Sequence, residues 1–103
     1  MSVAKGYWIA HIDVAEPEAY EAYRSANAIA FAKYGARFLV RAGRNELKEG
    51  ALRSRRVVIE FADYATALAC YQSEEYRRAR ALREPVSQGD LVVVEGYDGP
   101  QPG

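Results

Sequence analysis

The sequence predicts a ferredoxin-like α+β fold, in which a four-stranded antiparallel sheet carries helices on one face. Three observations support this prediction: period-two alternation over residues 5–14, helical patterns after the first and third strands, and the overall order β-α-β-β-α-β. That order is the split βαβ arrangement of ferredoxin-like folds. The handedness of crossover connections then places the first and third strands at the centre of the sheet and the other two at its edges.

The first helix is predicted over residues 17–34. Pro17 suits the first position of a helix, and Gly35 suits the position just beyond its end. The following residues, 36–61, predict two strands joined by a turn near Lys48–Ala51, with a bulge at Gly43 in the long first arm.

A second helical region begins after Asp63, a favourable N-cap residue. Ser73 predicts a break in this region and the cap of a separate helical segment, which Pro85 ends. The sequence GDLVVVEGY at residues 89–97 predicts the last strand. Cys70, the single cysteine, excludes an internal disulfide and is expected in the core.

Length and charge limit the classes of function. The 103 residues suffice for one domain, which we expect over residues 1–97, with an extended or flexible tail at 98–103. The 14 basic and 14 acidic residues balance, which argues against a nucleic-acid partner. No apolar run approaches a membrane span of about 20 residues, and MSVAKGYW contains no signal-peptide core, so we expect no membrane partner and a cytoplasmic location.

The parity of the strand residues separates two faces of the predicted sheet. The first face is apolar, and we expect the helices to cover it. It contains Trp8, Ala10, Ile12, Phe38, Val40, Val57, Ile59, Phe61, Val92 and Val94. The second face is mixed, with charges around an aliphatic centre of Ile9, Leu39, Val58, Leu91 and Val93. We expect this mixed face to pack sheet to sheet against a second copy, the alternative being a solvated face with scattered aliphatic residues.

Several motifs together are similar to those of one family. They are KGYWIAHIDV, AYEAYRSANAIAFAKYGARFLVR, RRVVIEF, ALACYQSEEYRRARALR and EGYDGP, which span nearly the whole chain. The chain resembles the family called domain of unknown function 1330, in the dimeric α+β barrel superfamily. The resemblance implies a ferredoxin-like protomer and a homodimer, and it carries over no catalytic residue. The superfamily includes cofactor-free monooxygenases, lactone isomerases and haem-binding proteins, which is an analogy at the level of the fold.

The candidate ligand-binding residues fall into two groups. His11, Arg41, Glu60, Glu95 and Tyr97 are predicted on the mixed face. His11, with Asp13 two residues later, is either a general base or acid or a histidine bonded within the assembly. The arginine and the two glutamates either pair with neighbouring charges or hold a carboxylate ligand.

The second group lies on the first helix. Tyr23 and Asn27 follow helical spacing, and they either line a pocket for a flat aromatic ligand or belong to the core. Asn27 is the more informative residue, because a buried amide needs hydrogen-bond partners. One histidine and one cysteine cannot build a common zinc site, and no sequence feature calls for a cofactor.

These observations lead to one expected function and two alternatives. We expect a homodimer that binds a small organic molecule, either as a binding protein or as a cofactor-independent enzyme. The first alternative is a non-enzymatic dimeric interaction module with no enclosed ligand site. The second is a haem-binding protein with His11 as axial ligand.

Overall fold

The strands and helices follow the predicted order. The computed structural model describes residues 4–103, so residues 1–3 of the predicted domain lie outside the described part. The elements are β1 (Gly6–Val14), α1 (Pro17–Tyr34), β2 (Arg37–Arg41), β3 (Arg55–Phe61), α2 (Tyr64–Gln72), α3 (Glu74–Arg83) and β4 (Ser87–Glu95), with a 3₁₀ turn at Glu84–Val86. The sheet is antiparallel with the order β2-β3-β1-β4, which confirms the ferredoxin-like α+β fold.

Local signals explain where the helices begin and end. Pro17 begins α1, and Gly35 ends it in the left-handed conformation at φ 67°, with its N–H bonded to the Phe31 carbonyl. Asp63 Oδ1 accepts a hydrogen bond from the Thr66 N–H at 2.7 Å and caps α2. Ser73 Oγ accepts from the Tyr76 N–H at 3.1 Å, so it separates α2 from α3 as predicted.

The connection between β2 and β3 differs from the prediction. β2 ends at Arg41, and residues 42–54 form a loop without helix or strand where a long hairpin arm was expected. The register between β2 and β3 shifts between Phe38 and Val40, so the bulge lies at Leu39 and the prediction of Gly43 is wrong. Because the extra residue reverses the parity beyond it, Arg41 lies on the helix-covered face and Val40 on the other face.

The register of β4 also corrects the prediction. β4 begins at Ser87 and pairs with β1 so that Trp8 lies opposite Val93 and Ala10 opposite Leu91. Leu91 and Val93 therefore pack on the core, and Val92 and Val94 face the opposite side. The predicted assignment of these four residues was inverted. Glu95 lies opposite Gly6 and is not on the mixed face.

The core lies between the sheet and the three helices. Trp8 is 1% exposed, and its Nε1 donates a hydrogen bond to the Ala67 carbonyl of α2 at 2.9 Å. The Trp8 ring packs edge-on against Tyr76 at a centroid distance of 4.7 Å and against Phe31 at 5.4 Å. Burial raises the pKa of the Cys70 thiol to about 12, as suits a core residue with no nucleophilic role.

No helix formed by residues 4–103 has both the length and the apolar composition needed to cross a bilayer.

Candidate functional site

A cavity of about 500 Å³ lies between the helix-covered face of the sheet and helices α1 and α3. Cavities of this size are typical of small-molecule sites. Its residues come from all four strands, from the three helices and from the turn before β4. The lining residues are Trp8, Ala10, Ile12, Tyr20, Tyr23, Arg24, Asn27, Phe31, Phe38, Arg41, Ala42, Arg55, Val57, Ile59, Tyr71, Arg80, Arg83, Glu84, Ser87, Gly89, Asp90 and Leu91.

Tyr23 and Asn27 supply buried polar groups to the cavity, and the buried Tyr76 bonds to Tyr23 without lining the cavity itself. The hydroxyls of Tyr23 on α1 and Tyr76 on α3 are 2.9 Å apart and share a hydrogen bond. Burial raises the pKa of Tyr23, the Tyr76 phenol raises it further, and the Asn27 amide opposes the rise. Burial likewise raises the pKa of Tyr76. Both phenols are therefore neutral at physiological pH, and they act as hydrogen-bonding groups rather than bases.

Four arginine side chains of the cavity wall lie over aromatic rings, among them Arg80 at 5.6 Å from the ring centroid of Tyr71. The Arg41 guanidinium lies 4.2 Å from the ring centroid of Phe38. Arg55 lies 5.4 Å from the ring centroid of Tyr20, and Arg83 lies 5.7 Å from that of Tyr23. Stacking on a ring orients a planar guanidinium and leaves its edge N–H groups free to bind an anion.

The carboxylates of the cavity wall are already paired. Glu84 accepts a salt bridge from Arg80 at 3.4 Å, and Asp90 accepts one from Arg53 at 3.1 Å. His11 does not line the cavity. Among the described residues, the cavity thus has neutral phenols, one amide and cationic guanidinium groups, but no unpaired carboxylate or histidine to act as a general base.

The opposite face of the sheet carries His11 and Glu60. His11 lies between Arg56 of β3 and Asp90 of β4, and its buried Nδ1 has no hydrogen-bond partner within residues 4–103. Glu60 accepts a hydrogen bond from the Tyr7 hydroxyl at 3.3 Å and lies 3.9 Å from Arg37. The Glu60 arrangement matches the predicted alternative of paired charges at the margin of this face.

The carboxylate of Asp13 is bonded to the loop between β2 and β3. It accepts hydrogen bonds from the Ser54 N–H at 2.8 Å and from Arg53 Nη1 at 3.2 Å. These hydrogen bonds lower the pKa of Asp13, the Ser54 backbone contributing most. Asp13 therefore fastens the end of the loop to β1 and is not the partner of a catalytic histidine.

The predicted candidates thus separate into three places. Tyr23, Asn27 and Arg41 line the cavity, whereas His11 and Glu60 lie across the sheet from it. Glu95 and Tyr97 do not line the cavity. Tyr97 is 71% exposed, and its hydroxyl donates to the Pro100 carbonyl at 2.6 Å.

Arg55 and Arg83 are among the residues of the cavity that sequence reasoning missed. Arg55 is two residues before Val57 and shares its face of β3. The alternation of side chains therefore identifies Arg55 once the strand is taken to begin at this residue. Arg83 is one of four arginines on α3, and no local signal distinguishes the one that faces the sheet.

The match to a family model completes the evidence for the fold. The model of the domain of unknown function DUF1330 matches residues 5–97. The chain belongs to the DUF1330 family. This agrees with the resemblance carried by its motifs, and no curated protein matches the chain.

Solved structures with a similar fold support the same architecture. RPA0582, a protein of unknown function from Rhodopseudomonas palustris, has a TM-score of 0.71 at 15% identity, covering 93% of this chain and 85% of that one. SnoaB, a cofactor-independent oxygenase from Streptomyces nogalater, has a TM-score of 0.62 at 12% identity, covering 97% of each chain. A conserved Bacteroides thetaiotaomicron protein of unknown function, described as a possible oxidoreductase, has a TM-score of 0.58 at 13% identity, covering 91% of this chain and 99% of that one. At these identities the likeness shows the fold, a four-stranded antiparallel sheet with helices on one face.

Proposed function

We propose that this DUF1330 protein binds a small organic molecule in the cavity between the sheet and helices α1 and α3. The observation that carries the proposal is the cavity itself, about 500 Å³ with an apolar floor and a few convergent polar groups. Tyr23 and Asn27 reach it from α1, while Arg55 and Arg83 reach it from β3 and α3. The alternative function, an interaction module without an enclosed ligand site, would not require a cavity of this kind.

NMR titration with one- and two-ring aromatic fragments, including 2-naphthol, tests this proposal. We expect amide shifts to change at Asn27, Val57 and Leu91, which line the cavity. The Val57→Trp variant fills the space and should abolish the changes. Ile29→Trp is the matched control, because Ile29 is 65% exposed on α1 and does not line the cavity.

Two results would contradict the proposal. If no fragment changes any amide shift, the protein is not a small-molecule binder of this class. If the changes cluster around His11 and Val92, the ligand binds on the opposite face and the assignment to the cavity is wrong.

We further propose that the protein is a homodimer formed through the opposite face of the sheet. Val92 is 53% exposed, Val40 is 40% and Val94 is 37%, and these valines adjoin the half-buried Ile9 and Val58. An apolar centre with paired charges at its margin suits a two-fold contact. Sedimentation velocity should give twice the chain mass of 11.5 kDa, and a monomer at all concentrations would exclude this dimer.

The second candidate function is oxygenation without a cofactor. The observation in its favour is the combination of cationic guanidinium and neutral phenol groups, which would stabilise a substrate enolate, together with the fold shared with SnoaB. The balanced reaction converts an activated CH₂ and O₂ to C=O and H₂O. Because the cavity lacks an unpaired base, the substrate itself must be acidic.

Oxygen consumption with 2-tetralone, a two-ring ketone with an acidic CH₂, tests this candidate. We expect uptake above the protein-free rate that disappears in Val57→Trp and persists in Ile29→Trp. Uptake equal to that in buffer would reject oxygenation of this substrate class and leave the binding function standing.

A further inference from the structure

The arginines without a carboxylate partner are concentrated at the cavity. Of the 11 arginines in the sequence, six form salt bridges within the described chain. The other five are Arg41, Arg44, Arg55, Arg56 and Arg83. Three of these five line the cavity, although the chain as a whole has no net charge. A cavity with unpaired cations in a neutral protein favours an anionic occupant.

Arg83 is held at the inner wall of this cavity. Its Nε is buried and has no hydrogen-bond acceptor within residues 4–103. Its Nη1 atom lies beside β4, 3.8 Å from the position that a Cβ would occupy at Gly89. The guanidinium also faces the Tyr23 ring at 5.7 Å. A buried donor without an acceptor is uncommon in proteins, and an oxygen of a ligand would satisfy it.

Arg55 approaches the same region from the opposite wall. It stacks on Tyr20 at 5.4 Å, and Tyr20 packs against Tyr23 at a centroid distance of 5.2 Å. Burial raises the pKa of Tyr20, and the charges of both Arg55 and Arg83 oppose that rise. The charges of both guanidinium groups therefore act on the Tyr20 phenol. Two guanidinium groups that lie over a pair of packed tyrosine rings suit a carboxylate, which accepts paired N–H bonds.

The rest of the cavity indicates the nature of the ligand's other end. Aromatic side chains contribute much of its wall: Trp8, Tyr20, Tyr23, Phe31, Phe38 and Tyr71. Planar rings bind well against such a wall through offset and edge-to-face contacts. A volume of about 500 Å³ accommodates a molecule of one or two rings.

Resting on the proposed binding function, we propose that the ligand is an aromatic carboxylic acid whose carboxylate is held between Arg55 and Arg83. Its rings lie against the aromatic wall formed by β1 and α1. Tyr23 and Asn27 then contact the ring substituents and discriminate among acids of the same size.

Calorimetric titration with 2-naphthoate and its neutral analogue 2-naphthamide tests the proposal. The two probes have the same rings and nearly the same shape, so the comparison isolates the charge. We expect the wild type to bind 2-naphthoate at least about tenfold more tightly than 2-naphthamide, since charge-assisted hydrogen bonds are the stronger kind. Arg55→Gln and Arg83→Gln should each remove about tenfold of the naphthoate affinity and change the naphthamide affinity less than about twofold.

Arg44→Gln is the matched control, because it removes one unpaired arginine from an exposed loop outside the cavity. It should leave both affinities unchanged. Unchanged naphthamide binding in the two cavity variants also verifies that they are folded. If either variant fails to fold, the comparison of 2-naphthoate with 2-naphthamide in the wild type still tests whether the site prefers a carboxylate.

The outcomes separate the two proposals. If 2-naphthamide binds as tightly as 2-naphthoate, the carboxylate inference is wrong although the cavity remains a binding site. If Arg44→Gln weakens naphthoate as much as the cavity variants do, the effect is general electrostatics and the assignment to Arg55 and Arg83 fails. If neither probe nor any aromatic fragment binds, the proposed binding function itself is wrong.

Discussion

At the scale of single residues, Trp8 links the folding core to the candidate site. Its indole N–H is bonded to the Ala67 carbonyl, so α2 is fastened to the centre of β1. The same ring forms part of the cavity wall. The shape of the cavity therefore depends on a residue that the core already fixes, and a ligand meets a preformed wall rather than a mobile one.

Gly6 permits the closest approach between β1 and the start of α2. A Cβ at this position would lie 2.6 Å from the Asp63 carbonyl carbon and 2.8 Å from Tyr64 Cα, both of which are backbone atoms. We therefore expect Gly6→Ala to lower the free energy of unfolding by about 1–3 kcal/mol, because the backbone must shift to admit the methyl group. Urea unfolding monitored by Trp8 fluorescence measures the change.

Gly43→Ala provides the control for this substitution. Within residues 4–103, and apart from Gly43 itself and its two chain neighbours, no atom lies within 4 Å of a Cβ at that position, which is in the exposed loop between β2 and β3. We expect its stability to equal that of the wild type within about 0.5 kcal/mol. Equal losses in the two alanine variants would show that steric approach at Gly6 does not limit the packing.

At the scale of elements, the helices were predictable and the strand registers were not. Gly35, Asp63 and Ser73 act through bonds to residues a few positions away, so short sequence motifs identify them. β4 contains four consecutive aliphatic residues, 91–94, and both of its faces therefore read as apolar. Only the hydrogen-bonded register with β1 decides that Leu91 and Val93, and not Val92 and Val94, face the helices. That register depends on residues far apart in the sequence.

The bulge at Leu39 likewise changed which side chains of β2 face the helices. A single unpaired residue moved Arg41 from the face predicted for it to the cavity side. The strand carries no glycine or proline at this point that could have indicated the irregularity. Arg41 was thus predicted on the mixed face, whereas it lies on the cavity side of the sheet.

The Asp63 cap makes the stability of α2 depend on pH. Hydrogen bonds from Thr66 lower the pKa of Asp63 in the folded state. Because the folded pKa is below the unfolded value of about 3.9, this stabilisation is complete above that pH and is lost as the pH falls through the folded pKa. Asp63→Asn keeps a capping oxygen but does not titrate.

Thermal unfolding at pH 7, 5, 4 and 3 tests this expectation. The melting temperature of Asp63→Asn should be slightly below that of the wild type at pH 7, and the difference should shrink between pH 4 and 3. Asp63→Ala should have the lowest melting temperature at pH 7, since it has no cap. A constant difference between wild type and Asp63→Asn at all four pH values would contradict the role of the carboxylate.

At the scale of the whole molecule, the two sides of the sheet have separate features. The sequence placed ligand-binding candidates on the first helix, at Tyr23 and Asn27, and also on a mixed face of the sheet. The cavity lies on the other side, where α1 and α3 leave the sheet partly uncovered. Tyr23 and Asn27 gave the only sequence signal for this space, because a cavity arises from the spacing of whole elements and leaves no local pattern.

This separation predicts that assembly and ligand binding can be disrupted independently. Val92→Glu places a carboxylate in the apolar centre of the proposed two-fold contact. The second copy would bury this carboxylate without offering it a cationic partner. We expect the dimer dissociation constant to rise at least about a hundredfold, since uncompensated buried charge costs several kcal/mol. In the monomer Val92 is 53% exposed, so the protomer should stay folded and retain binding in its cavity.

Sedimentation velocity and 2-naphthoate titration of the same sample measure both properties. Ile29→Glu is the matched control, because Ile29 is the more exposed of the two at 65% and lies on α1, away from the sheet face. It should remain dimeric. Dissociation by Ile29→Glu alone would place the contact on the helices, and loss of naphthoate binding in a folded Val92→Glu monomer would mean that the partner completes the cavity.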